Sequence, residues 1–134
     1  MRYVITPDVA VDLGLRVPRL ADGVQLVAPT LLRSQVLASL YERVQAGELE
    51  RADASAALDA IRGLRIRLLG DRVLQAKAWT VAAQLGWGDT YDAEYIALTR
   101  LQADALVTGK HALAEAAGDL VTVAPMDQLM EEDR

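Results

Sequence analysis

Cysteine and phenylalanine are both missing from the 134 residues, and histidine occurs once, at His111. Without cysteine there is no disulfide, no thiolate nucleophile and no Cys-based metal site, a composition that fits the cytoplasm. Without phenylalanine, and with two Trp and four Tyr, the core has to be built from Leu, Val, Ile and Ala. No apolar run reaches the ~18 to 20 residues that a membrane-spanning helix needs, and the N-terminus has no basic stretch followed by an apolar one. A membrane span and secretion are therefore not expected. Positive charge is also in deficit: 14 Lys and Arg against 19 Asp and Glu leave a formal net charge of -5. Proteins that hold nucleic acid tightly without sequence preference are usually basic, so any RNA contact has to come from a local patch. What is present is 52% hydrophobic residues with four Pro and nine Gly, which excludes wholesale disorder. The length suits one domain over 1–134 with a single real core, and 129–134 are expected to fray as a charged tail.

Tyr3-Val4-Ile5 is a short apolar run and reads as a buried strand. Pro7 ends it, and Asp8 is placed to cap a helix from Val9 to about Leu15, with Gly14, Pro18 and Gly23 marking the loop that follows. Val24 to Val27 reads as a second strand. Pro29 and Thr30 then open a helix with Thr30 as its N-cap. Leu32, Val36, Leu40 and Val44 recur along it every four positions, Leu37 and Tyr41 widen the stripe, and Gly47 closes it. Glu48 to Ile61 is a further helix, stopped by Gly63. Leu64-Arg65-Ile66-Arg67-Leu68 alternates apolar and basic side chains, the pattern of a strand with one buried face. Asp71 starts a helix that Gly86 ends. Thr90 caps a helix to about Leu101, Ala105 to Thr108 is a buried strand, Lys110 to Ala117 a short helix, and Leu120 to Val123 a last strand. Helices alternating with short strands that are apolar on both faces predict a three-layer α/β/α sandwich around a central, mostly parallel sheet. Ligands of such sheets sit at the carboxyl ends of the strands. Those ends carry Thr6-Pro7-Asp8, Thr108-Gly109-Lys110 and the loops near Ala28 and Asp89.

Four stretches together carry a family likeness: YVITPDVAVDL at the start, APTLLRSQVLASLYERVQAGEL across the second helix, YDAEYIALTRLQADALVTGKHALAEAAG through the core, and LVTV at the closing strand. The YDAxYIAL phrase followed by LVT is the most specific part. The chain resembles the PIN-domain family, in particular the small toxin-type ribonucleases of bacterial toxin–antitoxin pairs, the VapC group. The resemblance implies a PIN-like form of the sandwich, a homodimer, RNA as substrate and a protein antitoxin as partner. The antitoxin would lie along the helices around Leu31 to Ala46 and Glu50 to Ile61. It also implies an endoribonuclease in which four carboxylates at the strand ends hold Mg²⁺ or Mn²⁺. Such ions want hard oxygen ligands, polarise a phosphate and activate water.

Carried over residue by residue, only one of the four acids, Asp92, survives in place. The first, at the end of the opening strand, is Thr6, and the polar residue two positions on is Asp8. The second, early in the second helix, is Gln35. The third, within YDA, is Asp92. The fourth, after the LVT strand, is Lys110. Four ionised carboxylates would place a charge of -4 on the site. Asp92 and Lys110 sum to 0, and an inward-pointing Asp8 brings the total to -1. Two unit charges ~4 Å apart at an effective dielectric near 20 interact by roughly 4 kcal/mol, and a divalent ion beside an ammonium is repelled by more than that. Lys110 therefore reads as a substitute for the cation, paired with Asp92. In this reading no cofactor is needed and the protein binds a partner or RNA without efficient cleavage.

A competing reading keeps an active Mg²⁺- or Mn²⁺-dependent endoribonuclease on rearranged acids Asp8, Asp89 and Asp92. A third is an interaction domain whose strand ends have no role. Each residue also has a plainer explanation: Asp8 as a helix cap, Asp89 as a solvated loop acid, Asp92 as an acid favoured by a helix dipole, and His111 as a surface residue. Arg62, Arg65, Arg67 and Arg72 form a basic cluster, with Arg33, Arg43 and Arg51 nearby in sequence. It reads either as an RNA or antitoxin contact or as a solvated face.

Overall fold

The computed structural model describes residues 1–131. The chain runs β1 (Arg2–Ile5), α1 (Pro7–Arg16), β2 (Gln25–Pro29), α2 (Leu32–Gln45), α3 (Arg51–Gly63), β3 (Arg67–Leu69), α4 (Arg72–Leu85), α5 (Tyr91–Gln102), β4 (Ala105–Val107) and α6 (His111–Ala117), then a 3₁₀ turn at Met126–Leu129. The four strands form one all-parallel sheet in the order β3-β2-β1-β4. Among the described residues six helices flank it, giving the expected three-layer α/β/α sandwich. The central strand β1 is paired on both sides, Val4 with Val27 and Ile5 with Val107. Its Val4 and Ile5 are fully buried, as are Leu106 and Val107 of β4. Parallel strands covered on both faces have no polar side to alternate with, which is why they read as short continuous apolar runs.

Because all strands point the same way, Ile5, Pro29, Leu69 and Val107 end at one edge of the sheet. The residues that follow them, Thr6, Thr30, Gly70 and Thr108, line that edge. Helix α5 brings Asp92 there in its first turn and buries Ala93 and the run Tyr95 to Thr99 against the sheet. Buried Thr99 satisfies its hydroxyl by donating to the Tyr95 carbonyl at 2.7 Å.

Several local expectations change. Thr6, not Asp8, is the N-cap residue of α1; Pro7 takes the first helical position, where its missing N–H costs nothing, and Asp8 falls in the first turn. Gly14 is not in a loop but buried inside α1, where a Cβ would stand 2.8 Å from the Ala57 carbonyl oxygen and 2.7 Å from Ile61 Cγ1 of α3. Two helices pack at that distance only with no side chain between them. Thr30 lies in a turn, and α2 begins at Leu32 with Leu31 as its cap. The strand expected over Leu64 to Leu68 is shifted: Leu64 and Arg65 form a turn with Arg65 at φ 54, a left-handed conformation a strand cannot hold, and β3 starts at Arg67. Leu120 to Val123 makes only an isolated bridge, Val123 to Leu106, rather than a full strand. The tail is tied down as far as it is described. Leu129 is fully buried, Met130 bridges to Leu20, and the Glu131 N–H donates to the Arg19 carbonyl at 2.9 Å. Residues 132–134 of the expected frayed tail lie outside the described residues.

Candidate functional site

The strand-end edge is built from two loops and three helix starts. Thr6 is the residue after β1, the first turn of α1 supplies Asp8, and the loop after β4 supplies Thr108, Gly109 and Lys110. Helix α2 adds Gln35, and α5 adds Asp92, Glu94 and Tyr95. Thr6 is completely buried, so its hydroxyl needs an internal partner. It lies 2.5 Å from Asp8 Oδ1 and 2.9 Å from Thr108 Oγ1. An ionised carboxylate only accepts, so Thr6 donates to Asp8 and Thr108 in turn donates to Thr6. The Lys110 N–H donates to Thr108 Oγ1 at 3.1 Å, and the Gly109 N–H donates to Asp8 Oδ2 at 2.7 Å. The donors thus run in one direction and end on Asp8, both of whose oxygens are occupied. A Cβ at position 109 would stand 2.6 Å from Asp8 Oδ2, so this close approach requires glycine. Asp8 does not cap α1; it ties the start of α1 to the β4–α6 loop.

Lys110 occupies the N-cap position of α6 with extended backbone. Its Nζ lies 3.0 Å from each Asp92 oxygen, a symmetric seat that engages both at once. This is the pairing expected of the two residues. Lys110 and Asp92 side chains are 49% and 35% exposed, so the pair is worth at most about 1 kcal/mol of stability. Its consequence is local charge rather than folding energy.

Gln35 lies in the first turn of α2, and its Oε1 accepts from the Tyr95 hydroxyl at 2.6 Å. Tyr95 is fully buried one helical turn beyond Asp92, so the two share a face of α5. Burial pushes the Tyr95 phenol far above its ordinary range, and the charges of Glu94, Asp92 and Asp8 push it further in the same direction. Glu94, which the sequence reading passed over, is held above the usual carboxylate range by its own burial. The available signal was its position inside the buried phrase Ala93-Glu94-Tyr95-Ile96, where an acid is out of place.

The fold has a solved counterpart. Over 95% of this chain and 93% of the other, the structure is similar to the crystal structure of PAE2754 from Pyrobaculum aerophilum, with 18% sequence identity and a TM-score of 0.70. At that identity the likeness concerns the fold alone. No family model and no curated protein sequence matches the chain.

Of the remaining candidates, Asp89 is exposed and its Oδ1 accepts from the Tyr91 N–H at 3.2 Å, while Thr90, the N-cap residue of α5 as expected, makes no side-chain cap bond. His111 is exposed and stands 3.1 Å from Glu115 on its own helix. Among the described residues, no three His, Asp or Glu side chains gather as a metal ion would require.

A second feature lies away from the strand ends. Helices α2 and α3 and strand β3 enclose a groove of about 660 Å³. Leu32, Val36, Leu58, Ile61, Ile66 and Leu68 line its apolar part, and Arg33, Arg62 and Arg65 stand around it. Leu37 also lines it and remains 57% exposed; Tyr41, one turn further along α2 and outside the lining, is 62% exposed. The basic cluster seen in the sequence is thus divided. Arg62 is paired with Asp59 at 2.6 Å, while Arg67 is exposed on edge strand β3, where a charge blocks pairing with another chain's strand.

Proposed function

We propose that this chain is a PIN-domain protein of the VapC toxin type in which the metal-binding carboxylates are mostly replaced, catalytically weak or inactive, and acting by binding a partner. The observation that carries this is the Lys110 ammonium seated on both oxygens of Asp92, the one acid of the four that remains in place. The donor set does not fit a hard divalent ion. Thr6 and Gln35 bring no charge, and the two oxygens of Asp8 each already accept a hydrogen bond, from Thr6 and Gly109. The Gln35 carbonyl is held by Tyr95. We therefore derive no catalytic step through a metal. Gln for Glu and Thr for Asp keep roughly the volume of an acidic site while removing its charge, so the packing around it persists.

The groove between α2, α3 and β3 supports the partner side of the reading. An apolar floor with arginines around it suits an amphipathic protein segment carrying acidic residues, laid along the helices where the resemblance puts an antitoxin. A homodimer and a cytoplasmic site of action belong to the same proposal. The neighbouring reading frame is the natural source of the partner; a small protein with a DNA-binding N-terminal half is expected there.

The test is a ribonuclease assay on structured RNAs in Mg²⁺ and in Mn²⁺. No cleavage above buffer is expected. Cleavage that disappears in Asp92→Asn would overturn the proposal and restore the active endoribonuclease built on Asp8, Asp89 and Asp92. On the partner side, Leu58→Glu in the groove is expected to abolish complex formation with the neighbouring gene product in sedimentation; an unchanged complex would refute the groove as its seat.

A further inference from the structure

The groove between α2, α3 and β3 has the dimensions of a small-molecule site. Its volume, about 660 Å³, falls within the ~300 to 1,000 Å³ of such sites, which are mostly apolar with a few charged or polar groups at their margin. We infer that it binds a single-chain carboxylate amphiphile, a free fatty acid of medium length, with the chain on the aliphatic floor and the carboxylate against Arg33 or Arg65. The ligand site goes beyond the function proposed above; only its consequence, displacement of a partner segment from the same groove, rests on that reading.

Three observations carry it. The floor is aliphatic, formed by Leu32, Val36, Leu58, Ile61, Ile66 and Leu68; among the described residues no aromatic ring lines it, so it matches a flexible hydrocarbon rather than a planar ligand. The charge around it is of one sign. Among the described residues no acid lines the groove, although the whole chain carries a net charge of -5. Arg62 is paired with Asp59, but Arg33 and Arg65 are exposed and, among the described residues, lie within ion-pair distance of no carboxylate. Two guanidinium groups thus stand beside an apolar floor without an anion of the protein's own, and a fatty acid, ionised at pH 7, brings one. Finally, Arg65 is held beside the groove by a left-handed backbone with φ 54, a conformation that costs energy in residues other than glycine and recurs at ligand clamps.

Calorimetric titration of the full chain with sodium octanoate and sodium decanoate, both below micelle-forming concentrations, reads the site. Decyltrimethylammonium puts a similar chain on a positive head. One decanoate is expected per chain. Octanoate, two methylenes shorter, should bind about tenfold more weakly, and decyltrimethylammonium more weakly than decanoate by at least about tenfold. Arg33→Gln/Arg65→Gln should weaken decanoate about tenfold and bring the two heads to similar affinity. Leu58→Glu, which puts a carboxylate in the floor, should abolish decanoate binding. Circular dichroism checks that each variant is folded, and if Leu58→Glu is not, the variant at the two exposed arginines decides alone. No decanoate binding, equal affinity of the native chain for the two heads, or decanoate affinity unchanged in the arginine variant would overturn the inference. These heats are read on the protein alone. They can fail while the groove still seats a partner segment, and they can hold while the sedimentation result refutes that seat.

Discussion

Replacing Asp8 with alanine removes the acceptor on which two loops meet, a hundred residues apart in the chain. The lost bonds come from the Thr6 hydroxyl at 2.5 Å and the Gly109 N–H at 2.7 Å. Hydrogen bonds to a charged group contribute ~1.5 to 3 kcal/mol each. Here the Gly109 position is exposed and its N–H can turn to water, while Thr6 keeps Thr108 as a neighbour. The expected loss for Asp8→Ala is therefore about 2 kcal/mol rather than the full sum. Asp8→Asn should lose about half as much, because its carbonyl can still accept from Gly109 while its amide donates to a Thr6 hydroxyl turned toward Thr108. Gly109→Ala brings a Cβ to within 2.6 Å of Asp8 Oδ2 and should displace the same oxygen. Urea unfolding measures all three, as a lower midpoint at unchanged m-value. Because Asp8→Ala and Gly109→Ala break one contact, their double variant should fall short of additivity by about 1 kcal/mol. An Asp8→Ala protein within ~0.5 kcal/mol of native, the range of ordinary surface changes, would refute the tie between the loops and leave Asp8 free for another role.

Three further outcomes are expected. Tyr95→Phe leaves the Gln35 carbonyl without its donor and should cost about 1 to 2 kcal/mol in denaturant unfolding. In the native chain the Tyr95 phenol is raised above its ordinary value of 10.0, so the unfolded chain releases that proton first. Stability should hold below pH ~10 and fall as pH rises above it, and Tyr95→Phe should flatten that fall in an alkaline unfolding series. Glu94→Gln should stabilise the protein at pH 7 by roughly a few tenths of a kcal/mol, allowing for solvent screening of a half-buried group; the gain should vanish well below pH 4.5, where Glu94 is neutral in both states. Gly14→Ala should lower the thermal midpoint through about 1 to 3 kcal/mol of overpacking between α1 and α3.

Much of the architecture was legible because its elements carry local signals. Asp71 caps α4 through the Leu74 N–H at 2.9 Å, and Gly86 ends it in a left-handed conformation, both as read from the residue types. The apolar runs at Tyr3 and Ala105 became neighbouring strands. Expectations failed where a local pattern had two solutions. The alternation around Arg65 is compatible with a strand, but Arg65 turns left-handed and strand pairing starts two residues later. Gly14 looked like a loop signal because glycine usually is one; only the closeness of α3 explains it inside a helix.

The sequence by itself determined the layering, the parallel sheet and the charge carried at each strand end, because periodicity, caps and residue types are properties of short segments. Tertiary structure alone decided how those charges are used. It joined Asp8 to Gly109 across the sheet edge, aimed the Tyr95 hydroxyl at Gln35, and turned Asp89 onto the Tyr91 N–H at the start of α5. The pairing of Lys110 with Asp92 was expected; the fold supplied its geometry, Nζ at 3.0 Å from both oxygens. Such pairings depend on distances set by the whole packed core, a few tenths of an ångström deciding between a hydrogen bond and none, and no local pattern encodes a distance between residues so far apart in the chain.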